Sequence, residues 1–128
     1  PNNFTPEDGK KACEYVYEYE GKEIGKRFEQ IMRLETAHFT SKQYKLCGSP
    51  GMIKGKWSGT VPTKTINLKE NEGKNEDFLV WDSPTSFAKY WVQYNQRNNN
   101  NFARWYSTDP TNQAKYIAKL DTIISRFV

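Results

Sequence analysis

The sequence has few of the residues from which metal sites and nucleophilic catalytic sites are usually built. It contains one histidine, His38, and two cysteines, Cys13 and Cys47, which lie 34 positions apart. Zinc sites need several closely spaced cysteine or histidine ligands, and a hydrolase triad needs a nucleophile motif such as Gly-x-Ser-x-Gly, which this chain lacks. We therefore expect no metal and no organic cofactor. Two buried free thiols are the expected state of the cysteines, and a single disulfide is the alternative.

Long apolar runs are also missing. No segment approaches the roughly 18 consecutive apolar residues of a membrane helix, and residues 1–11 lack the apolar centre of a signal peptide, so we expect no membrane span. The glycine-rich segment 48–59 contains neither Gly-x-Gly-x-x-Gly nor a Walker sequence, which argues against nucleotide binding. The net charge is +4, but lysine and arginine are spread along the chain. This charge suits an anionic cell wall as well as a nucleic acid, and no nucleic-acid partner is expected.

What the sequence does have is aromatic residues, which make up 15% of the chain and can bury enough area for a core. At 128 residues the chain is too short for two ordinary domains, so we expect one domain over residues 1–128, present as a monomer. Helix starts are predicted at Pro6, near Lys22, at Pro84 and near Pro110. Three of these starts combine a capping residue with a following proline.

The middle of the chain has a different pattern. Residues 53–82 contain glycines, partial alternation and a short β-type run, which indicate a small antiparallel β lobe. We expect a hairpin or a three-stranded ribbon that turns at Gly73. The expected fold class is therefore mainly α (α+β), a helical domain with a small antiparallel β lobe.

Glu35 is the candidate catalytic residue that periodicity singles out. One apolar stripe runs along the second predicted helix and consists of Ile24, Phe28, Ile31 and Met32. Position 35 lies within about 20° of the line of this stripe at about 100° per residue. An acid on the apolar side of a helix end is expected to hold its proton, because desolvation disfavours the charged form. Such an acid could donate the proton that glycoside hydrolysis requires; the alternative is that it only caps the helix or forms an ion pair.

Four segments of the chain carry a family resemblance: "IMRLETAHFTSKQYK", "SPGMIKG" with "KWSGT", "FLVWDSPTSFAKYW" and "RWYSTDPTNQAKYIAKLDTII". Together they resemble the N-acetylglucosaminidase family of peptidoglycan hydrolases, the type found in bacterial autolysins, flagellar muramidase-like proteins and phage lysins. The first is similar to that family's helix ending in Leu-Glu-Ser or Leu-Glu-Thr, and the last to its Tyr-Ala-Thr-Asp-Pro-x-Tyr-Ala ending. The segments follow the family's order from about residue 24 to residue 125.

The resemblance implies a lysozyme-like fold and cleavage of the β-1,4 bond after N-acetylglucosamine, with Glu35 as general acid. It also implies that Tyr106, at the start of "YSTDP", lies in the cleft and orients the substrate or its acetamido group. The partner would be the glycan strands of peptidoglycan. The protein would then work where it meets a cell wall, whether secreted, in a periplasm or on a phage particle.

The chain departs from the family in two places. Residues 37–39, "AHF", stand where the family commonly has Gly-Trp-Gly after its catalytic Glu, so we expect this helix junction to pack differently. Asn67 stands where the family's β lobe usually has the acid of Thr-x-Glu, and an amide cannot act as a general base. Either Glu70 or Glu72 supplies the second charge, or the substrate's acetamido group assists while Asn67 positions it or a water.

Two further side chains are candidates for substrate contact. Trp57 lies among glycines and lysines and is expected either to stack on a sugar ring or to fill the junction between the β lobe and the helices. His38 is expected in the cleft wall or in packing. Two other functions stay open: a wall-binding or assembly module that has lost catalysis, and a lytic transglycosylase, for which one acid can suffice. The stereochemical outcome also stays open, because it depends on the separation of the two carboxylates.

Overall fold

Five helices and one two-stranded sheet make up the described part of the chain, residues 2–51, 64–70 and 73–128 of a computed structural model. The elements are, in order, α1 (Pro6–Glu20), α2 (Lys22–Glu35), α3 (Lys42–Cys47), β1 (Lys64–Lys69), β2 (Asn75–Val80), α4 (Pro84–Arg97) and α5 (Pro110–Asp121). The predicted class, mainly α with a small antiparallel sheet, is confirmed. Within these residues, no helix combines the length and the apolar composition needed to cross a bilayer.

The four predicted helix starts are confirmed, and at α1, α4 and α5 a side chain supplies a hydrogen bond that the first turn of a helix lacks. Before α1, the Thr5 hydroxyl accepts a hydrogen bond from the Asp8 amide (3.2 Å), and the Asp8 carboxylate accepts one from the Thr5 amide (2.8 Å). This reciprocal pair is a capping box. Ser83 caps α4 and Asp109 caps α5, and proline follows each of them. The short helix α3 has no counterpart in the sequence prediction.

The two strands form an antiparallel hairpin, with residues 64–69 opposite residues 75–80. The connection turns at Gly73, which has a φ of 88°, and its amide donates to the Glu70 carbonyl (2.9 Å). A positive φ favours glycine, so the predicted position of the turn is confirmed. Both strands lie inside the predicted β lobe, whereas its residues 53–63 lie outside the described residues.

An aromatic core holds α2 and α4 together. Phe28 of α2 meets Trp91 of α4 edge-on, with 5.1 Å between ring centroids. Trp81 meets Phe87 edge-on at 5.6 Å. These four side chains are at most 1% exposed, and edge-to-face ring pairs stabilise a core beyond the apolar area that they bury. The core therefore fixes α2, the helix that ends at Glu35.

Both cysteines are free and buried, as the sequence predicts. Burial raises the pKa of the Cys47 thiol to about 11. Burial also raises the pKa of the Cys13 thiol, and the nearby Glu29 carboxylate raises it further. Because the thiolate is the reactive form, burial disfavours reaction at both side chains, which pack as small apolar core residues.

The C-terminal segment is held by a buried ion pair inside α2. Glu29 is fully buried and accepts a hydrogen bond from Arg33 Nε (2.7 Å). The same carboxylate accepts hydrogen bonds from the backbone amides of Arg126 (2.7 Å) and Phe127 (3.0 Å). The Arg33 guanidinium lies over the Phe127 ring, 4.5 Å from its centroid. Glu29 thus ties the end of the chain to the middle of α2.

One prediction for the last helix is wrong. The spacing of its apolar residues predicts an inner face that consists of Tyr116, Leu120, Ile123 and Phe127, with Ile117 and Ile124 widening it. Instead α5 ends at Asp121, and Ile124 is 70% exposed. Beyond the helix, the backbone amides of Arg126 and Phe127 bind the Glu29 carboxylate instead of helix carbonyls.

We predict that Glu29→Gln destabilises the protein far more than Asp121→Asn. The first change leaves the buried Arg33 without its charge partner and should cost about 3 kcal/mol or more in free energy of unfolding. The second breaks an exposed pair between Asp121 and Arg27 (2.8 Å) and should cost less than about 1 kcal/mol. Urea unfolding followed by circular dichroism at pH 7 measures both. Equal losses in the two variants would contradict the role given to Glu29.

Candidate active site

Glu35 is the last residue of α2, and a left-handed turn follows it. Thr36 closes the helix: its hydroxyl donates to the Met32 carbonyl and accepts a hydrogen bond from the Phe39 amide (2.7 Å). Residues 37–39 have φ angles of 50°, 56° and 67°. The chain therefore reverses immediately after Glu35 and leaves this side chain at the edge of the helical core.

The turn adopts the backbone conformation that glycine prefers, although it contains no glycine. A residue with a Cβ pays about 1–2 kcal/mol for a left-handed conformation. Packing offsets this cost at Phe39, which is 1% exposed and whose ring lies 5.5 Å from Tyr44 and 5.8 Å from Phe127. At Ala37, which is exposed, no such packing is available. The family that this segment resembles has glycine at both of these positions.

Glu35 lines a cleft of about 700 Å³. Its lining comes from the end of α2 and the turn after it, from residues 41–43 and 50–51, and from the hairpin, with Lys69, Glu70 and Phe78. Glu35 and Glu70 are both half-buried. The structure thus brings the predicted acid and one of its two predicted partners to the same cleft. Two other predicted site residues lie outside the described residues: Trp57 and Glu72.

The charges along the cleft are mixed. Its lining includes Lys42 and Lys69 as well as the carboxylates of Glu35 and Glu70. In the part of the chain that the structure describes, no group of three or more histidine, cysteine, aspartate or glutamate side chains is arranged to hold a metal ion. Chemically, a lining with two carboxyl groups can offer a proton from one and a negative charge from the other.

Two stacked tyrosines lie beside Glu35. The Tyr116 hydroxyl donates a hydrogen bond to Glu35 Oε2 (2.9 Å), and the Tyr116 side chain is almost fully buried. Tyr106 stacks on Tyr116, with 4.4 Å between ring centroids and 15° between ring planes, and is 54% exposed. Tyr106 therefore contacts Tyr116, which in turn is bonded to Glu35. Tyr106 is not among the described residues that line the cleft.

The phenol of Tyr116 stays protonated. Burial raises its pKa, and the neighbouring Glu35 carboxylate raises it further through its charge and its hydrogen bond. The hydroxyl is therefore a hydrogen-bond donor at neutral pH.

Tyr116 is the site residue that the sequence did not reveal. Its place on the inner face of the last helix predicts burial, which is confirmed. Burial of a tyrosine implies a partner for its hydroxyl, but not which partner. The contact with Glu35 joins residues 81 positions apart, and helical periodicity carries no information at that separation.

Asn67 and His38 are not placed at the cleft. Asn67 is exposed on β1, and its amide donates to Asp77 Oδ1 on the partner strand (3.0 Å). His38 is exposed in the left-handed turn, with its Nδ1 3.4 Å from Arg33 Nη1. Neither belongs to the described lining of the cleft. For Asn67 the physical reason is the hairpin register, which sets it opposite Asp77 and satisfies its amide there.

Comparison of the chain with protein-family models, with curated proteins and with solved structures finds no match in any of the three. The family resemblance therefore rests on the four sequence segments alone. The chemistry of the cleft depends on the residues that line it.

We predict that Ala37→Gly stabilises the protein. Glycine removes the left-handed cost of about 1–2 kcal/mol and adds about 0.5–1 kcal/mol of chain entropy to the unfolded state, so the net gain is up to about 1.5 kcal/mol. The matched control is Ala118→Gly at an exposed position inside α5, which should lose about 1 kcal/mol. Thermal unfolding measures both changes. Equal destabilisation by the two would show that position 37 carries no strain.

Proposed function

We propose that the protein is a peptidoglycan hydrolase that cleaves the β-1,4 bond after N-acetylglucosamine, with Glu35 as its general acid. The observation that carries this proposal is the placement of two half-buried carboxylates, Glu35 and Glu70, on the lining of one cleft. Glycoside hydrolysis uses such a pair, one group to protonate the leaving oxygen and one to act on the other side of the sugar. The four motif segments support the same reaction and the same acid.

The position of Glu35 suits a proton donor. The side chain stands at a helix end, half-buried, and its one hydrogen bond among the described residues comes from a neutral phenol. No ion pair of Glu35 is found in that part of the chain. A carboxyl group without a cationic partner can carry a proton to the oxygen between two sugars and lose it as that bond breaks.

Glu70 is our candidate for the second group. It lies where the hairpin begins to turn, and its backbone amide donates to the Lys74 carbonyl (2.8 Å), which fixes this end of β1. From the hairpin part of the lining, its carboxylate can stabilise positive charge on the sugar or activate a water. Assistance by the substrate's acetamido group remains compatible with the cleft. Glu70 lines the cleft, whereas Asn67 is not part of its described lining, which favours Glu70 as the protein group involved.

Two lysines on the lining of the cleft can contact a wall polymer. These are Lys42 and Lys69, and peptidoglycan carries carboxylates on its peptide side chains. A cleft of about 700 Å³ is also within the usual size of pockets that hold small ligands, roughly 300–1,000 Å³. The proposed partner is therefore the glycan strand with its acidic substituents, and the proposed setting is one in which the protein meets a cell wall.

The test is the release of reducing ends from purified cell walls. Glu35→Gln should lower the rate at least about a hundredfold, because a general acid contributes roughly 10²–10⁴. Glu70→Gln should also lower it, by a smaller factor if the acetamido group assists. Glu23→Gln, at an exposed position in the first turn of α2, is the matched control and should leave the rate unchanged. Full activity in Glu35→Gln would remove this residue from the mechanism.

Mass spectrometry of the fragments distinguishes the proposed hydrolase from the alternative functions. Reducing N-acetylglucosamine ends support a hydrolase, and anhydro products indicate a lytic transglycosylase. Binding of the glycan without any fragments indicates a wall-binding or assembly module. Circular dichroism of each variant checks that a lost activity does not reflect a lost fold.

A further inference from the structure

The two oxygens of Glu35 differ in their surroundings. Oε2 accepts the hydrogen bond from the Tyr116 hydroxyl (2.9 Å), and this is the one hydrogen bond to Glu35 among the described residues. A glutamate at a helix end can otherwise take several rotamers, and its two oxygens are equivalent until a neighbour distinguishes them. Tyr116 makes that distinction.

Tyr116 is itself held in place by packing. Its ring meets Trp105 edge-on, with centroids 5.6 Å apart, and stacks on Tyr106 on another side at 4.4 Å. It projects from α5, whose first turn is fixed by the Asp109 cap. A donor locked by its own packing can fix the geometry of the group that accepts from it. The packing of Tyr116 therefore sets where its hydroxyl lies, and this hydroxyl holds Glu35 Oε2 at 2.9 Å.

We propose that Tyr116 is a positioning residue, which holds Glu35 Oε2 so that Oε1 carries the transferable proton and faces the cleft. The proposal rests on the proposed function of Glu35 as general acid and goes beyond it, because neither the family motifs nor helical periodicity assigns a role to Tyr116. It concerns which oxygen of the acid reacts, and what keeps that oxygen in position.

The proton balance is simple. In the protonated acid, Oε2 is the carbonyl oxygen and accepts from the phenol, while Oε1–H donates to the glycosidic oxygen. As the bond between the sugar carbon and this oxygen breaks, its electron pair goes to the oxygen and the proton moves there from Oε1. The charge left on Glu35 is then stabilised by the same phenol, and hydrogen bonds to charged acceptors are the stronger ones.

The hydrogen bond is available in both states of the acid, because the phenol does not ionise in the working range. Burial and the adjacent carboxylate both raise the pKa of Tyr116. The hydrogen bond from Tyr116 is strongest when Glu35 is a charged carboxylate, which is the state that forms as the proton leaves. This differential interaction lowers the barrier to the chemical step and does not increase the affinity for the glycan.

The kinetic test uses soluble glycan fragments prepared from purified peptidoglycan. We predict that Tyr116→Phe, which keeps the ring, lowers kcat about tenfold while KM stays within about twofold. In a Glu35→Gln background the same change should cause no further loss. The matched control is Tyr44→Phe, which removes another buried phenol, bonded to the Thr5 carbonyl (2.6 Å), and should leave kcat unchanged. A change in core packing alone would lower the stability of both tyrosine variants and would not lower kcat in Tyr116→Phe alone.

A second measurement does not depend on turnover. The ¹³Cζ resonance of Tyr116, assigned by its loss in Tyr116→Phe, should move in Glu35→Gln and stay in place in Glu23→Gln. If wild-type protein cleaves the glycan but Tyr116→Phe matches it in kcat, or if the resonance is unmoved, the positioning role is overturned and the proposed function stands. If wild-type protein shows no turnover at all, the proposed function fails first and the role of Tyr116 falls with it.

Discussion

The buried ion pair of Glu29 and Arg33 is the interaction on which the candidate site depends. Two carboxylates lie six positions apart on α2, and their surroundings differ completely. Glu29 is 0% exposed and takes up both the guanidinium and the backbone amides of Arg126 and Phe127. Glu35 is half-buried and meets a neutral phenol. Glu29 therefore bonds the Arg33 guanidinium and the amides of residues 126 and 127, and Glu35 is bonded to neither.

Much of the fold could be predicted because local chemistry determines it. The caps at Thr5, Ser83 and Asp109 locate three helix starts, and Gly73 locates the hairpin turn. The features that escaped prediction depend on contacts between distant parts of the chain. The path of the chain after α5 is held by Glu29, which lies 97 and 98 positions from its amide partners. Periodicity also suggests nothing unusual at position 29, because a buried glutamate looks like any polar residue in a helical sequence.

Positions in the candidate site could be predicted where helix or hairpin geometry determines them. They could not be predicted where they depend on hydrogen bonds between distant parts of the chain. Glu35 follows from its angle on α2, and Glu70 from its place in the hairpin loop. Asn67 is drawn to Asp77 by cross-strand register, and Tyr116 reaches Glu35 from the far end of the chain. The turn over residues 37–39 shows a third case. Its sequence lacks glycine, yet its φ angles of 50°, 56° and 67° give the backbone that glycine would favour, which position-by-position propensities do not indicate.

A crystal structure of Glu35→Gln with a bound peptidoglycan tetrasaccharide tests the central claim most directly. The account predicts that the glycan occupies the cleft between the end of α2 and the hairpin. The oxygen between two sugars should lie within hydrogen-bond distance of the side chain at position 35, at about 3 Å, with Glu70 facing the other side of the same sugar. A glycan bound on another surface, or one in the cleft whose inter-sugar oxygens all lie out of reach of position 35, would contradict it.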